Sequence, residues 1–406
     1  MKKVLILAAI PVLLILVGGG IFTYRYLSGE QEETGHYQRE ETELIVSNLA
    51  QATMRLYRAG NNLAGAAPVP EFNGSRIWLR KGNYFLEAVL PKGTIYYPVP
   101  ILGYRRGPDA NGSFTITIRS LAMEDPPPPP GSASQWKLIP SGLFLLGDRQ
   151  NPREPHYVWL PAFFMRDFEV TNAEFREFLR DSTGYADLGN WTEAGRRWKA
   201  ANETRVTAIL KDGDPEIVRF GQDDQPVTWV TWYEAQAYCR WLTQKLGQGL
   251  WIFSLPSEGE WDKAARGPDS FDYALSRSLS DEEIKLYNWK KNPDAMETVI
   301  GRQPTQGRFL PNRYGIFHLS GNVVEWTQSI NRPFNRDRPY QDDDGRNRED
   351  LTETRVARGG SWYSAGIALL SVAYRDTFQP EVRHHDLGFR IVARPLPLGL
   401  ANATQR

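Results

Sequence analysis

The sequence predicts an α+β protein: a loop-rich C-terminal domain, preceded by a small all-β domain and an N-terminal transmembrane helix. Three observations carry that expectation. Thirteen Trp and 35 Gly among 406 residues describe a globule in which large aromatics supply burial between turns, and glycines allow positive φ or close backbone approach. Residues 70–121 break into short strands punctuated by Gly, Pro and Asn. Residues 4–22 form an uncharged apolar run, close to the ~20 residues a helix needs to cross a bilayer.

The N-terminal run follows Lys2 and Lys3 and continues through Ile21 and Phe22. Gly18-Gly19-Gly20 is the one small-residue cluster that suits cleavage, so a signal peptide is the alternative to an uncleaved anchor over residues 1–27. The anchor is preferred because the apolar run is long and Tyr24 and Tyr26 suit the interface. It implies a single-pass membrane protein with its bulk periplasmic or extracellular. Residues 28–69 read as an acidic tether and a stalk helix, since Leu44, Ile45, Leu49, Ala52 and Leu56 recur near helical spacing. Residues 84–90, 95–99 and 113–118 read as strands of a small β-sandwich. The proline run 126–130 marks a stiff linker over 122–135. The main domain spans 136–396, and 397–406 is a tail. Formal charge is zero, which leaves no electrostatic footprint for nucleic acid. The single Cys239 excludes an intrachain disulfide framework, and its place on an apolar helix face makes it a small core residue.

In the main domain, Thr171 is a candidate N-cap for a helix over 172–179. Residues 231–246 are the clearest helix and 258–266 a third, with a long polar loop over 182–225 between them. The most distinctive stretch is Tyr314-Gly315-Ile316-Phe317-His318-Leu319-Ser320-Gly321-Asn322-Val323-Val324-Glu325-Trp326. It is followed by Arg358-Gly359-Gly360-Ser361-Trp362-Tyr363 and by Leu387-Gly388-Phe389-Arg390. With Glu169-Val170-Thr171-Asn172, Ala237-Tyr238-Cys239-Arg240-Trp241-Leu242 and Leu255-Pro256-Ser257-Glu258-Gly259-Glu260-Trp261, this ordered series resembles the formylglycine-generating-enzyme (sulfatase-modifying factor) superfamily, a variant of the C-type lectin fold.

That resemblance implies a chemistry and shows where this chain departs from it. The family's copper-binding cysteine pair falls on Ser364 and Leu369, neither of which is a soft ligand, so no copper is expected and no catalytic residue is assigned. The helical His-x-x-x-His-x-Glu motif of the superfamily's iron-dependent sulfoxide synthases is absent from the sequence. His384-His385-Asp386 could form a crude metal cluster, but adjacent side chains diverge on a strand, so surface loop residues are expected. The resemblance also implies calcium. One site would use Gly321, Val323 and Glu325, with His318 departing from the family pattern, and another would begin at Asn288. The alternative is that Glu325 pairs with an Arg. Arg358, Arg375 and Arg390 are expected to brace loops, with a ligand role open for Arg375.

Tyr363, Leu369 and Arg375 define an expected binding face. Residues 363–370 carry Tyr363, Ile367, Leu369 and Leu370, an apolar loop that needs cover from the 182–225 loop or from a partner. Arg336, Arg338, Tyr340 and the run Asp342-Asp343-Asp344 are expected to form a polar rim. The leading expectation is a membrane-anchored, non-catalytic member of the superfamily that binds a protein, peptide or glycan, or serves as an accessory subunit of an envelope complex. The alternatives are a copper-independent oxidoreductase of the same superfamily, or a variable receptor of the diversity-generating-retroelement kind with residues 363–386 diversified.

Overall fold

A computed structural model of the chain describes residues 41–48, 51–91, 93–102, 113–118, 129–130, 135–148, 155–202, 220–289, 309–335 and 338–396. The expected anchor, the start of its tether, the C-terminal tail and most of the proline linker lie outside these residues. Among the described residues no helix is long and apolar enough to cross a membrane.

The described fold is mixed α and β. Its strands are β1 (Glu41–Asn48), β2 (Thr53–Arg58), β3 (Ala67–Pro68), β4 (Arg76–Arg80), β5 (Gly82–Leu90), β6 (Gly93–Ile101), β7 (Phe114–Ile118), β8 (Trp136–Ile139), β9 (Gly142–Leu146), β10 (His156–Leu160), β11 (Phe163–Arg166), β12 (Trp251–Ser254), β13 (Val324–Ile330), β14 (Arg355–Arg358), β15 (Asp376–Phe378), β16 (Leu387–Gly388) and β17 (Val392–Pro395). Its helices are α1 (Asn172–Arg180), α2 (Glu193–Ala201), α3 (Trp232–Leu246) and α4 (Glu258–Arg266).

Two compact units emerge. The smaller takes residues 1–45, 76–82 and 101–115, and its described part centres on the antiparallel pairing of β1 with β4, where Leu44 faces Ile77. The larger takes residues 46–75, 83–100 and 116–406. It contains the sheet β3-β2-β5-β6, the hairpin β9-β10, and the four-stranded sheets β12-β17-β11-β8 and β15-β14-β13-β16.

The stalk helix expected over 42–58 is corrected: β1 and β2 occupy that stretch. Thr42, Leu44 and Val46 are buried in strict alternation, a period of two that reads as a strand face. In β2, Leu56 is buried opposite Leu86 of β5. Strands form over the expected stretches: β5 covers 84–90, β6 covers 95–99 and β7 covers 114–118. They do not close into a module ending at residue 121. Residues 46–75 and 83–100 instead share a compact unit with the C-terminal residues. There the Asn83 amide donates to the Ser270 carbonyl at 2.9 Å, and Phe85 packs with Ala59 and Phe271.

Three of the helices start with reciprocal caps. Thr171 and Glu174, Thr231 and Glu234, and Ser257 and Glu260 each exchange side-chain and backbone hydrogen bonds across a first turn. Helix α2, in the loop expected to be irregular, starts at Thr192, whose hydroxyl accepts the Gly195 N–H. Helix α3 buries Trp232, Tyr238 and Trp241 in the main core with Phe175, Phe178, Trp326 and Phe389. Cys239 is buried there, and burial pushes its thiol well up, which fits a core role.

Helix α4 carries an unusual buried cation. Lys263 donates to the carbonyls of Pro140 (2.5 Å) and Gly142 (3.0 Å), and burial pulls its pKa down to about 7 while the charge of Glu260 opposes the drop. The folded pKa lies below the unfolded value of ~10.4, so between these values the unfolded chain holds the extra proton and stability rises with pH. Its cost is fully present below about pH 7. Lys263→Met should therefore lose ground to the wild type as pH rises from about 7 to about 9.5, by up to ~1.4 kcal/mol per unit in urea unfolding. An equal stability difference at both pH values would show that Lys263 stays charged while buried.

Candidate functional site

The site is built on the turn that follows β14. Gly359 and Gly360 have φ of +97° and +63°, and a Cβ on Gly360 would stand 2.4 Å from the Leu369 carbonyl oxygen. Glycine is required here because the turn closes directly on the backbone of residue 369. The turn buries Ser361 and Trp362 and leaves Tyr363 about half exposed. The Ser361 N–H donates to the Ser364 hydroxyl at 2.9 Å, and the Trp289 indole donates to the Ser364 carbonyl at 2.7 Å. Ser364 thus knits the turn together. The family's copper site does not fit this chain: one position is a hydroxyl used within the turn and the other is Leu369.

A second turn, just before β16, meets the first. The Ser361 hydroxyl donates to Asp386 Oδ2, and His384 Nδ1 lies against Asp386 Oδ1. This order is not that of a nucleophilic triad, because a carboxylate, and not an imidazole, accepts the hydrogen bond of the serine hydroxyl. The His385 ring sits among aromatics, with centroids 4.8 Å from Tyr363, 5.5 Å from Trp362, and 6.3 Å from both Phe220 and Trp229. Trp229 holds a left-handed backbone (φ +58°), and its N–H donates to the His384 carbonyl at 3.0 Å. The expected divergence of His384, His385 and Asp386 is corrected. They lie on a turn, not a strand, and their ligand atoms fall within 4.8 Å of one another. Nearby, burial pushes the Asp376 carboxyl up, with the Asp386 charge adding to the effect and His384 opposing it.

The residues of the calcium expectation have other partners in this structure. Both oxygens of Glu325 are taken: Arg390 grips them in a fork at 2.6 Å each, and the Trp261 indole donates to one at 2.7 Å. Bidentate guanidinium pairing of this kind is the alternative that the sequence offered for Glu325. Asn288 donates instead to the Asn322 side chain at 3.1 Å. Gly321, at φ +90°, packs so tightly on the Asn288 carbonyl that a Cβ would come within 2.7 Å of that oxygen. Val323 is buried with Phe220 and Trp362.

His318 belongs to this polar knot. Its Nδ1 is 3.1 Å from the Asn322 amide and 3.6 Å from Glu169. Burial acts to raise Glu169, but the hydrogen bond and charge of His318, with Arg390, hold it below the usual range. Burial raises Glu325 in spite of Arg390, and the Glu169 charge adds to the rise.

The expected binding face contracts. Leu370 is core, packed with Ile316, Leu319 and Val372, and Ile367 lies against the same cluster. Leu369 is half-buried. Arg375 is a brace: its guanidinium forks onto buried Glu258 at 2.5 and 3.0 Å and also donates to the Arg332 carbonyl. Tyr340 is not a rim residue either. It is buried, its hydroxyl accepts the Gly259 N–H at 3.0 Å and donates to Asp342 at 2.6 Å. Asp344 is held by Arg346 within the same loop, Arg338 and Asp343 are exposed, and Arg336 lies outside the described residues. Phe220, at the end of the long loop, covers Trp362 with ring centroids 5.6 Å apart. Tyr363 therefore remains the exposed aromatic of the face. No local motif announced Phe220, Trp229 or Asp386 as its neighbours.

Residues 123–395 match the family described as Sulfatase-modifying factor enzyme 1-like domain. A hercynine oxygenase of Mycolicibacterium smegmatis is 31% identical over 64% of this chain and 62% of its own length. The formylglycine-generating enzyme of Mus musculus is 27% identical over 66% of this chain and 78% of its own. The inactive C-alpha-formylglycine-generating enzyme 2 of Mus musculus is 26% identical over 62% and 83%, respectively. The chain spans less than two thirds of the hercynine oxygenase it matches.

Proposed function

The chain belongs to the sulfatase-modifying factor enzyme 1-like family, and from that premise we propose that it is a non-catalytic binding member of it. In this reading residues 4–22 hold it in the membrane, and the larger unit is displayed outside the cytoplasmic membrane to a protein, peptide or glycan partner. One observation carries the proposal: the two positions that would hold the copper thiolates are Ser364 and Leu369, and Ser364 spends its hydroxyl and carbonyl on the turn itself. A relative named as inactive lies in the same family. Half-exposed Tyr363 and half-buried Leu369 supply the contact area for a partner.

The full chain, given copper(I), oxygen and a cysteine-containing sulfatase-type peptide, is expected to leave the thiol mass unchanged. Conversion to formylglycine would overturn the reading. A Tyr363→Ser, Leu369→Gln double variant is expected to lose whatever co-purifies from the native membrane while its melt stays nearly unchanged. A collapsed melt would make those residues core and remove this face.

A second reading, a copper-independent oxidoreductase, is favoured by the hercynine oxygenase relative and by the imidazole–carboxylate cluster at His384, His385 and Asp386.

A further inference from the structure

We propose that His384, His385 and Asp386 bind one divalent transition-metal ion, of the zinc, nickel or copper(II) class, at the aromatic mouth formed by Trp362 and Tyr363. The inference stands on the three side chains and does not depend on the binding reading above.

The donor set comes first. Two imidazoles and one carboxylate suit borderline ions such as Zn²⁺, Ni²⁺ and Cu²⁺, whereas Ca²⁺ and Mg²⁺ prefer all-oxygen shells. The geometry comes next. Each residue offers one ligand atom, and these atoms already lie within 4.8 Å of one another. Ligands about 2.0–2.2 Å from a shared ion stand roughly 3–3.5 Å apart, so small side-chain rotations close the shell. The turn that breaks the strand before β16 makes this convergence possible, with the two imidazole centroids only 4.2 Å apart.

The surroundings favour a cation. Among the described residues, no lysine or arginine forms an ion pair with Asp386, whose side-chain partners are Ser361 and His384. The Ser361 hydroxyl, donating to Asp386 Oδ2, orients the carboxylate and leaves Oδ1 toward the histidines, the kind of outer partner that fixes a metal ligand. The rings of Phe220, Trp229, Trp362 and Tyr363 surround His385 and restrict its rotation. Aromatic packing alone would account for His385. His384 and Asp386 face each other through the hydrogen bond between them, and an ion would take the place of that bond. With three protein ligands, the ion keeps at least one position open for an exogenous donor.

The test uses the full chain in detergent, stripped with a chelator, and isothermal titration with ZnCl₂ and, separately, CaCl₂. One Zn²⁺ per chain is expected, at micromolar affinity or tighter, with no heat from Ca²⁺. His384→Ala and His385→Ala should each weaken Zn²⁺ binding by at least ~100-fold, the upper end of what loss of an outer partner costs. His36→Ala should change nothing. Cobalt(II) should give ligand-field absorption in the wild type that His385→Ala abolishes. Absence of stoichiometric Zn²⁺ binding, or binding that survives a His384→Ala, His385→Ala double variant, overturns the proposal. Asp386→Asn is a third variant. Should its buried site fail to fold, the two histidine variants decide the matter.

Discussion

Replacing Arg390 with methionine is expected to lower the stability of the larger unit by about 3–5 kcal/mol, the cost of stranding a buried charge. The guanidinium is fully buried, forks onto Glu325 at 2.6 Å on each oxygen, and lies 3.8 Å from Glu169. It also donates to the carbonyls of Phe317 and Arg166. Without it two carboxylates share one buried site, with the Trp261 indole, the Asn322 amide and His318 as their remaining neighbours. Arg390→Lys should recover little, because an ammonium cannot reproduce the fork. Urea unfolding of the three proteins measures this. A loss under about 1 kcal/mol would mean that Glu325 sits protonated and needs no cation. Removing both partners, in an Arg390→Met, Glu325→Leu double variant, should be less damaging than Arg390→Met alone.

Asp262→Asn is expected to be of similar size, again about 3–5 kcal/mol, and to act on a different knot. Asp262 is wholly buried on α4. One oxygen accepts from Arg266 Nε at 2.6 Å and the other from Arg358 at 2.5 Å. The neutral amide keeps the shape and removes the charge, so two buried guanidiniums lose their shared counter-ion. Arg266 keeps Asp272 at 3.2 Å and the Gly147 carbonyl at 2.7 Å, while Arg358 keeps only a 3.7 Å approach to Glu258 and the Tyr374 carbonyl. The greater damage should therefore fall on Arg358, and an added Arg358→Met should restore part of the loss. If the double variant is no better than Asp262→Asn, Arg358 is not the stranded charge. The turn at Gly359 and Gly360 begins at Arg358, so this knot supports the candidate site from below.

The chain alone determined what short-range chemistry decides. The caps at Thr171, Thr231 and Ser257 each close within three residues of a Glu, so helices α1, α3 and α4 were legible from their first turns. Gly360 announced a tight turn because only glycine tolerates its φ and its approach to the Leu369 carbonyl. The loss of thiolate chemistry needed nothing but the letters at 364 and 369. Longer-range choices were not legible. Residues 42–58 match a helical period loosely and a strand period equally well, and pairing of Leu44 with Ile77 and of Leu56 with Leu86 decided between them. The partner of Glu325 was not legible either, because Arg390, 65 positions away, supplies the fork that meets its carboxylate. His384, His385 and Asp386 converge because a turn, set by the Trp229 contact and the start of β16, replaces the extended backbone that would have separated them. Leu370 faces the core because Ile316, Leu319 and Val372 pack on it, while Tyr363 is left half exposed. A local hydrogen bond is specified by spacing along the chain, whereas burial and charge pairing are specified by neighbours that only the folded chain brings together.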